Sequence, residues 1–154
     1  GEHSSVSGGS ENTASAGHTS VSGGFTNTAS LNISSILGGS YNTASGFYSS
    51  VAGGTGHTAS GYAASVLGGL ANAASTNNYA SVCGGLENTA SGVYSSVLGG
   101  TYNTASAESS SVSGGSGNTA SGACSSVVGG DDVYLTSGGL TCRTAGEGFW
   151  NLAD

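Results

Sequence analysis

The sequence has almost no basic residues: one arginine and no lysine face eight acidic residues, so the formal net charge is -7. A protein that binds the phosphate backbone of a nucleic acid needs a basic surface, so no nucleic-acid partner is expected. No apolar run is long enough to cross a bilayer, so membrane insertion is not expected either. Proline and methionine are absent, 6% of the residues are charged, and 30 of 154 are glycine. This composition is unlike that of an ordinary globular domain.

The chain contains instead a short internal repeat, which runs from His3 to Gly130. A branched apolar residue recurs every 15 residues, with one interval of 16, and in the first eight copies an alanine follows it by 8 positions. A fixed period of this length marks a solenoid of stacked coils. The branched residues are Val6, Val21, Ile36, Val51, Val66, Val82, Val97, Val112 and Val127.

Each copy divides into two half-coils, Ser-Ser-Val-x-Gly-Gly and Asn-Thr-Ala-Ser. Side chains alternate between the two faces of a strand, so Val, Ala and the residues two before them (Ser and Asn) would point inward. The glycine content opposes a helix. The sequence therefore predicts an all-β fold, a parallel β-roll or β-helix solenoid of about nine 15-residue coils with a C-terminal cap. Gly-Gly would supply positive φ at one turn, and the inner asparagines would satisfy buried backbone groups.

The predicted domain organisation is a repeat array over residues 1–130 and a capping segment over 131–154. The segment from Asp131 to Asp154 contains Tyr134, Phe149 and Trp150, and it is more apolar than any coil. A cap here would cover the last open strand edges, which otherwise recruit another chain. The extra residue of the 16-residue interval falls in 76–78. We expect a turn there, which can accommodate the extra residue without shifting either strand ladder out of register.

The chain has three cysteines, Cys83, Cys124 and Cys142, and an odd number cannot all pair within one chain. We expect a Cys124–Cys142 disulfide that clamps the cap to the last coil, with Cys83 as a free thiol. The surface has few charged residues and is rich in Ser, Thr and Gly, which favours a secreted, extracellular protein.

The surface with the clearest functional signal carries Thr and Ser two residues apart, and we call it the Thr-x-Ser face. Neighbouring coils lie about 4.7–4.9 Å apart and residues i and i+2 about 6.5–7 Å apart, so these side chains would form a rectangular array. Glu11, Glu87 and Glu108 fall at turns, which leaves this face without charge. A flat, regular and charge-free array can order surface water into an ice-like layer, so the sequence predicts ice binding. The candidate ice-binding residues are Thr13, Ser15, Thr28, Ser30, Thr43, Ser45, Thr58, Ser60, Ser75, Thr89, Ser91, Thr104, Ser106, Thr119 and Ser121.

Two simpler interpretations stay open. Thr and Ser can serve merely to solubilise a strand for which Thr has good β-propensity. The opposite surface, the Ser/Leu face, offers a structural or adhesive role, because exposed apolar stripes often form subunit interfaces. On this face, the position directly after the branched residue varies from coil to coil and is occupied in turn by Ser7, Ser22, Leu37, Ala52, Leu67, Cys83, Leu98, Ser113 and Val128. Ice binding predicts a monomer whose partner is the ice or water surface, whereas the adhesive alternative predicts a trimer or filament.

The sequence gives no sign of catalysis, so an enzyme is not expected. No Ser-His-Asp or Cys-His set and no carboxylate pair stands out. No phosphate-binding or dinucleotide motif opens a helix, so no cofactor is expected. His3 and His18 would stack one coil apart, but two histidines without a third ligand make a weak site, and no metal is expected. His57 takes the Asn position of its coil.

Two families resemble this repeat. Ser4-Ser5-Val6-Ser7-Gly8 and Asn42-Thr43-Ala44-Ser45-Gly46 are similar to the half-coils of β-roll ice-binding (antifreeze) proteins, with Ser in place of Asn in one half and Ala in place of Val in the other. The alternation also resembles the head repeats of trimeric autotransporter adhesins, with glycine, as at Gly8, in place of an apolar residue. The first resemblance implies ice binding, and the second implies a trimeric adhesive module.

Overall fold

The computed structural model describes residues 1–75 and 78–136 together with the backbone of the strand at 144–145. The protein is an all-β parallel solenoid of about nine coils, each of about 15 residues, as the repeat predicts. Within those ranges, no helix is long and apolar enough to cross a membrane.

Every coil contributes one two-residue strand to each of two parallel sheets. The first sheet consists of β1 Ser5–Val6, β3 Ser20–Val21, β5 Ser35–Ile36, β7 Ser50–Val51, β9 Ser65–Val66, β11 Ser81–Val82, β13 Ser96–Val97, β15 Ser111–Val112, β17 Ser126–Val127 and β19 Thr144–Ala145. The second consists of β2 Thr13–Ala14, β4 Thr28–Ala29, β6 Thr43–Ala44, β8 Thr58–Ala59, β10 Ala73–Ala74, β12 Thr89–Ala90, β14 Thr104–Ala105, β16 Thr119–Ala120 and β18 Tyr134–Leu135.

Both sheets keep one register along the array. Val66 pairs with Val82 in the first sheet, and Ala74 pairs with Ala90 in the second, although a 16-residue interval lies between them. The prediction that the extra residue leaves both ladders in register is therefore confirmed. Residues 76 and 77 themselves lie outside the described ranges.

The core is a thin column of Val and Ala flanked by polar ladders. From Val21 to Val127 the branched residues of the repeat are at most 1% exposed, and the alanines that follow them by 8 positions, from Ala29 to Ala120, are fully buried. The Asn side chains of the repeat lie inside the coil and form hydrogen bonds with backbone groups of the turns. Asn88 shows the pattern: its Nδ2 donates to the carbonyls of Gly84 and Gly100, each at 2.9 Å, and its Oδ1 accepts the Asn103 N–H at 2.9 Å. This ladder stabilises the stack from coil to coil, because buried backbone groups left without partners cost free energy.

Each coil has three corners at which a residue adopts positive φ, and only one of these corners needs glycine. In the described Gly-Gly pairs, from Gly8-Gly9 to Gly129-Gly130, the second residue has φ between 82° and 126°. The other two corners hold non-glycine residues in most coils, 16 in the described ranges, with φ between 51° and 62°, while Gly56 and Gly117 take one of these corners in two coils. Between two of these corners, a single residue per coil forms a third parallel ladder, as in the Thr55–Leu70 bridge. The coil is therefore more angular than a roll of two strands joined by two turns.

The ladders extend past Gly130. Asp131 bridges Ser116, and β18 pairs with β16 so that Leu135 fills the alanine position of the core. β19 adds a further strand to the first sheet. The rest of the predicted cap lies outside the described residues. Cys142 lies there too, so the predicted Cys124–Cys142 disulfide falls outside the described part of the chain. Cys83 is an exposed thiol.

Candidate functional site

The in-register pairing of the second sheet brings the predicted Thr-x-Ser residues onto one face. Thr58 pairs with Thr43 on one side and with Ala73 on the other, and the ladder continues through Thr89. Thr13 is exposed and the threonines from Thr28 onward are half-exposed, while the alanine beside each of them from Ala29 onward is fully buried. Alternation along the strand therefore places Thr and Ser outward, as the repeat predicts.

Backbone hydrogen bonds fix the position of both columns. The Thr58 N–H donates to the Asn72 carbonyl at 3.0 Å, and the Ser60 N–H donates to the Ala74 carbonyl at 3.0 Å. The same two bonds recur in each coil, so the spacing of the side chains is set by the stack and not by flexible loops. The threonine hydroxyls of this face make no hydrogen bond to another described residue, which leaves them directed to water.

The Thr-x-Ser face carries no charged side chain over the part of the chain that the structure describes. Glu11 and Glu87 occupy the positive-φ corner before the inner Asn position, and Glu108 lies in the turn on the other side. Two residues depart from the Thr pattern. Ala73 removes one hydroxyl near the middle, and Tyr134, 42% exposed, takes the Thr register after Thr119. Tyr134 therefore ends the face, a role the sequence-based prediction missed because it assigned this residue to the cap.

The Ser/Leu face differs in chemistry. Its serine column is mostly half-buried, and the hydroxyls of Ser111 and Ser126 bond to each other at 3.1 Å. In the neighbouring column Leu37, Leu67 and Leu98 are 63%, 58% and 55% exposed. This face therefore presents an apolar line to water, whereas the Thr-x-Ser face presents hydroxyl and methyl groups.

His3 and His18 stack with ring centroids 5.0 Å apart, as the repeat predicts. Among the described residues, no group of three or more His, Cys, Asp or Glu side chains is placed to hold a metal ion. The pair therefore lacks a third ligand of the usual kind within the described ranges.

His57 interrupts the asparagine ladder. It is fully buried in the Asn position, and its Nδ1 accepts the Asn72 N–H at 3.0 Å. Its Nε2 has no hydrogen-bond partner among the described residues. An asparagine there would donate to the carbonyls of Gly53 and Gly69, as Asn72 donates to Gly68 and Gly85. Burial lowers the pKa of His57, with a smaller opposing effect from the backbone of Gly69 and Asn72.

His57→Asn should raise stability and remove one source of acid sensitivity. Two restored hydrogen bonds are worth about 1 kcal/mol each. Because the folded-state pKa of His57 is lowered, the unfolded chain binds a proton at this site before the folded protein does. Stability from this group is therefore present above about pH 6.5 and is lost as the pH falls below that value. Thermal unfolding of both proteins from pH 8 to pH 5 should give curves that separate further at acidic pH; parallel curves would contradict this account.

The chain matches no protein-family model, and it matches no curated protein sequence. The fold and the repeat define its class, which is a parallel β-solenoid of 15-residue coils. The arrangement is compatible with a β-roll.

Proposed function

We propose that the protein binds ice through the Thr-x-Ser face and thereby lowers the freezing point or inhibits ice recrystallisation. The observation that carries the proposal is the register of the second sheet, which places Thr and Ser at two fixed positions in every coil from Thr13 to Ser121, with Ala73 as the one exception. The resemblance of the half-coils to β-roll ice-binding proteins agrees with it. In this proposal the protein is a secreted monomer without cofactor or catalytic activity, and its partner is the ice or water surface.

The physical argument concerns water. A bound water molecule that bridges two protein groups loses some entropy, and this cost is small when its partners already hold the required positions. The backbone bonds of Thr58 and Ser60 hold such positions from coil to coil. The threonine methyl groups add apolar surface, whose burial against ice is favourable. A carboxylate on this face would bind water strongly in its own geometry, and the described part of the face has none.

The direct test is the shape of a single ice crystal grown slowly in a dilute solution of the protein. Adsorption to particular ice planes should produce a faceted crystal and a gap between the melting and freezing temperatures. An unrelated acidic protein at the same concentration is the control and should leave a round disc. A round disc in the presence of this protein would refute ice binding.

A second candidate is a structural or adhesive module that assembles through the Ser/Leu face. The exposed line of Leu37, Leu67 and Leu98 supports it, because such a stripe gains free energy when a partner covers it. Sedimentation at micromolar concentration separates the two candidates. A monomer agrees with ice binding, whereas a stable trimer or filament that protects the leucines favours the adhesive role.

A further inference from the structure

One turn edge of the solenoid carries a line of exposed aromatic side chains on four consecutive coils. We call Tyr48, Tyr62, Tyr79 and Tyr94 the tyrosine ladder. Their successive ring centroids lie 5.5, 5.7 and 5.2 Å apart, and Phe47 packs against the first of them at 4.8 Å. The four tyrosines are between 41% and 58% exposed. The line lies between the two sheet faces and belongs to neither.

The turn itself does not require these rings. Tyr48, Tyr79 and Tyr94 occupy the same corner, with φ of 60°, 61° and 56°, a conformation that is unfavourable for a bulky residue. Ala63 and Ser109 hold that corner in other coils with similar φ. In the coil that has Ala63 at the corner, Tyr62 supplies a ring from one position earlier and contacts both Tyr48 and Tyr79. The line of rings therefore stays continuous where the repeat pattern alone would break it.

Tyr79 and Tyr94 differ from the other pairs of the ladder in orientation. Their rings are nearly parallel, with an interplanar angle of 8°, whereas Tyr62 meets each of its tyrosine neighbours at 72°. The two coils that carry them are fixed to each other, because the Tyr94 N–H donates to the Asn78 carbonyl at 3.0 Å. Neither hydroxyl bonds to another described residue. Two solvent-accessible phenols are thus held side by side on adjacent coils.

We propose that Tyr79 and Tyr94 form a site of oxidative cross-linking, in which a peroxidase and hydrogen peroxide join the two rings as dityrosine. Each phenol loses one electron and one proton to give a tyrosyl radical, and the two radicals form a carbon–carbon bond between ring positions ortho to the hydroxyls. Both rings regain aromaticity when the displaced ring hydrogens move to the phenolic oxygens. One hydrogen peroxide accepts the two electrons and two protons and leaves as two molecules of water. The product is a covalent staple between neighbouring coils.

The test treats a dilute solution of the 154-residue protein with a haem peroxidase and hydrogen peroxide. We expect a monomeric product with dityrosine fluorescence that has lost two hydrogen atoms. Glutamate-specific digestion after denaturation locates the bond, because cleavage after Glu11, Glu87 and Glu108 separates Tyr79, in residues 12–87, from Tyr94, in residues 88–108. The two fragments should stay joined only in the oxidised sample. Its unfolding midpoint should also lie above that of the untreated protein.

Tyr94→Phe keeps the ring but removes the phenol, so it should abolish the joined fragments. Tyr102→Phe is the matched control, because Tyr102 lies on the same fragment and is 55% exposed, yet it has no ring contact with another described residue. That variant should cross-link as the parent does. Three results would overturn the proposal: joined fragments in Tyr94→Phe, their loss in Tyr102→Phe, or only intermolecular products while free tyrosine couples under the same conditions.

Discussion

Gly100→Ala is expected to destabilise the solenoid by about 3 kcal/mol or more, because a β-carbon there combines an unfavourable φ with a collision. Gly100 has φ of 86°, and an added β-carbon would overlap the Gly115 carbonyl oxygen of the next coil. That oxygen accepts the Thr101 N–H at 2.9 Å and the Asn103 side-chain amide at 3.0 Å. Moving it away therefore weakens both bonds between two coils, and in a solenoid such a nearest-neighbour contact carries much of the stability.

Gly99→Ala is the matched control one residue earlier. A β-carbon on Gly99 would meet nothing within 4 Å, and its φ is not positive. The stability of this variant should stay the same or rise by up to about 1 kcal/mol, because alanine restricts the unfolded chain. Chemical unfolding followed by circular dichroism measures both changes. Equal unfolding free energies for Gly99→Ala and Gly100→Ala would show that the second glycine is not required.

The strands and the inside of the coil could be predicted because their signal is periodic. Val51 and Ala59 lie at fixed positions, alternation sends Asn42 and Ser49 inward, and all four are buried. The position of His57 in the asparagine ladder followed from the same period. These predictions depend only on which side chains share a face, and a strand of period two determines that.

The corners could not be predicted, because their conformation is not tied to a residue type. His, Tyr, Ala and Cys all occupy one positive-φ corner, as at His18 and Ala63, so no preference for glycine marks it. The two residues of a Gly-Gly pair look equivalent in the sequence, yet in the pairs from Gly8-Gly9 to Gly114-Gly115 only the second approaches the next coil closely. The tyrosine ladder depends on these corners. It also depends on Tyr62, which supplies the ring in the coil whose corner residue is Ala63. Such a contact needs the three-dimensional stacking of coils.

The candidate ice-binding face was predictable as a set of residues that share a surface, and its effect on ice is a separate question of how that surface orders water. One substitution addresses it without disturbing the fold. Thr58 lies near the middle of the face, half-exposed, with Thr43 and Ala73 as its neighbours. The sheet already accommodates a tyrosine in this register at Tyr134. Thr58→Tyr should therefore change the free energy of unfolding by less than about 0.5 kcal/mol.

The same substitution is expected to abolish most of the freezing-point depression or recrystallisation inhibition, because the ring would stand above the threonine array and hold the ice lattice away from it. Ser50→Tyr, on the Ser/Leu face, is the matched control and should retain activity. Both proteins are compared with the parent by freezing-point measurement, with thermal unfolding as the check on the fold. A larger loss in Ser50→Tyr would place ice binding on the opposite face. If the parent itself leaves ice unchanged, the exposed leucine line becomes the surface that defines the function, and assembly becomes the property to measure.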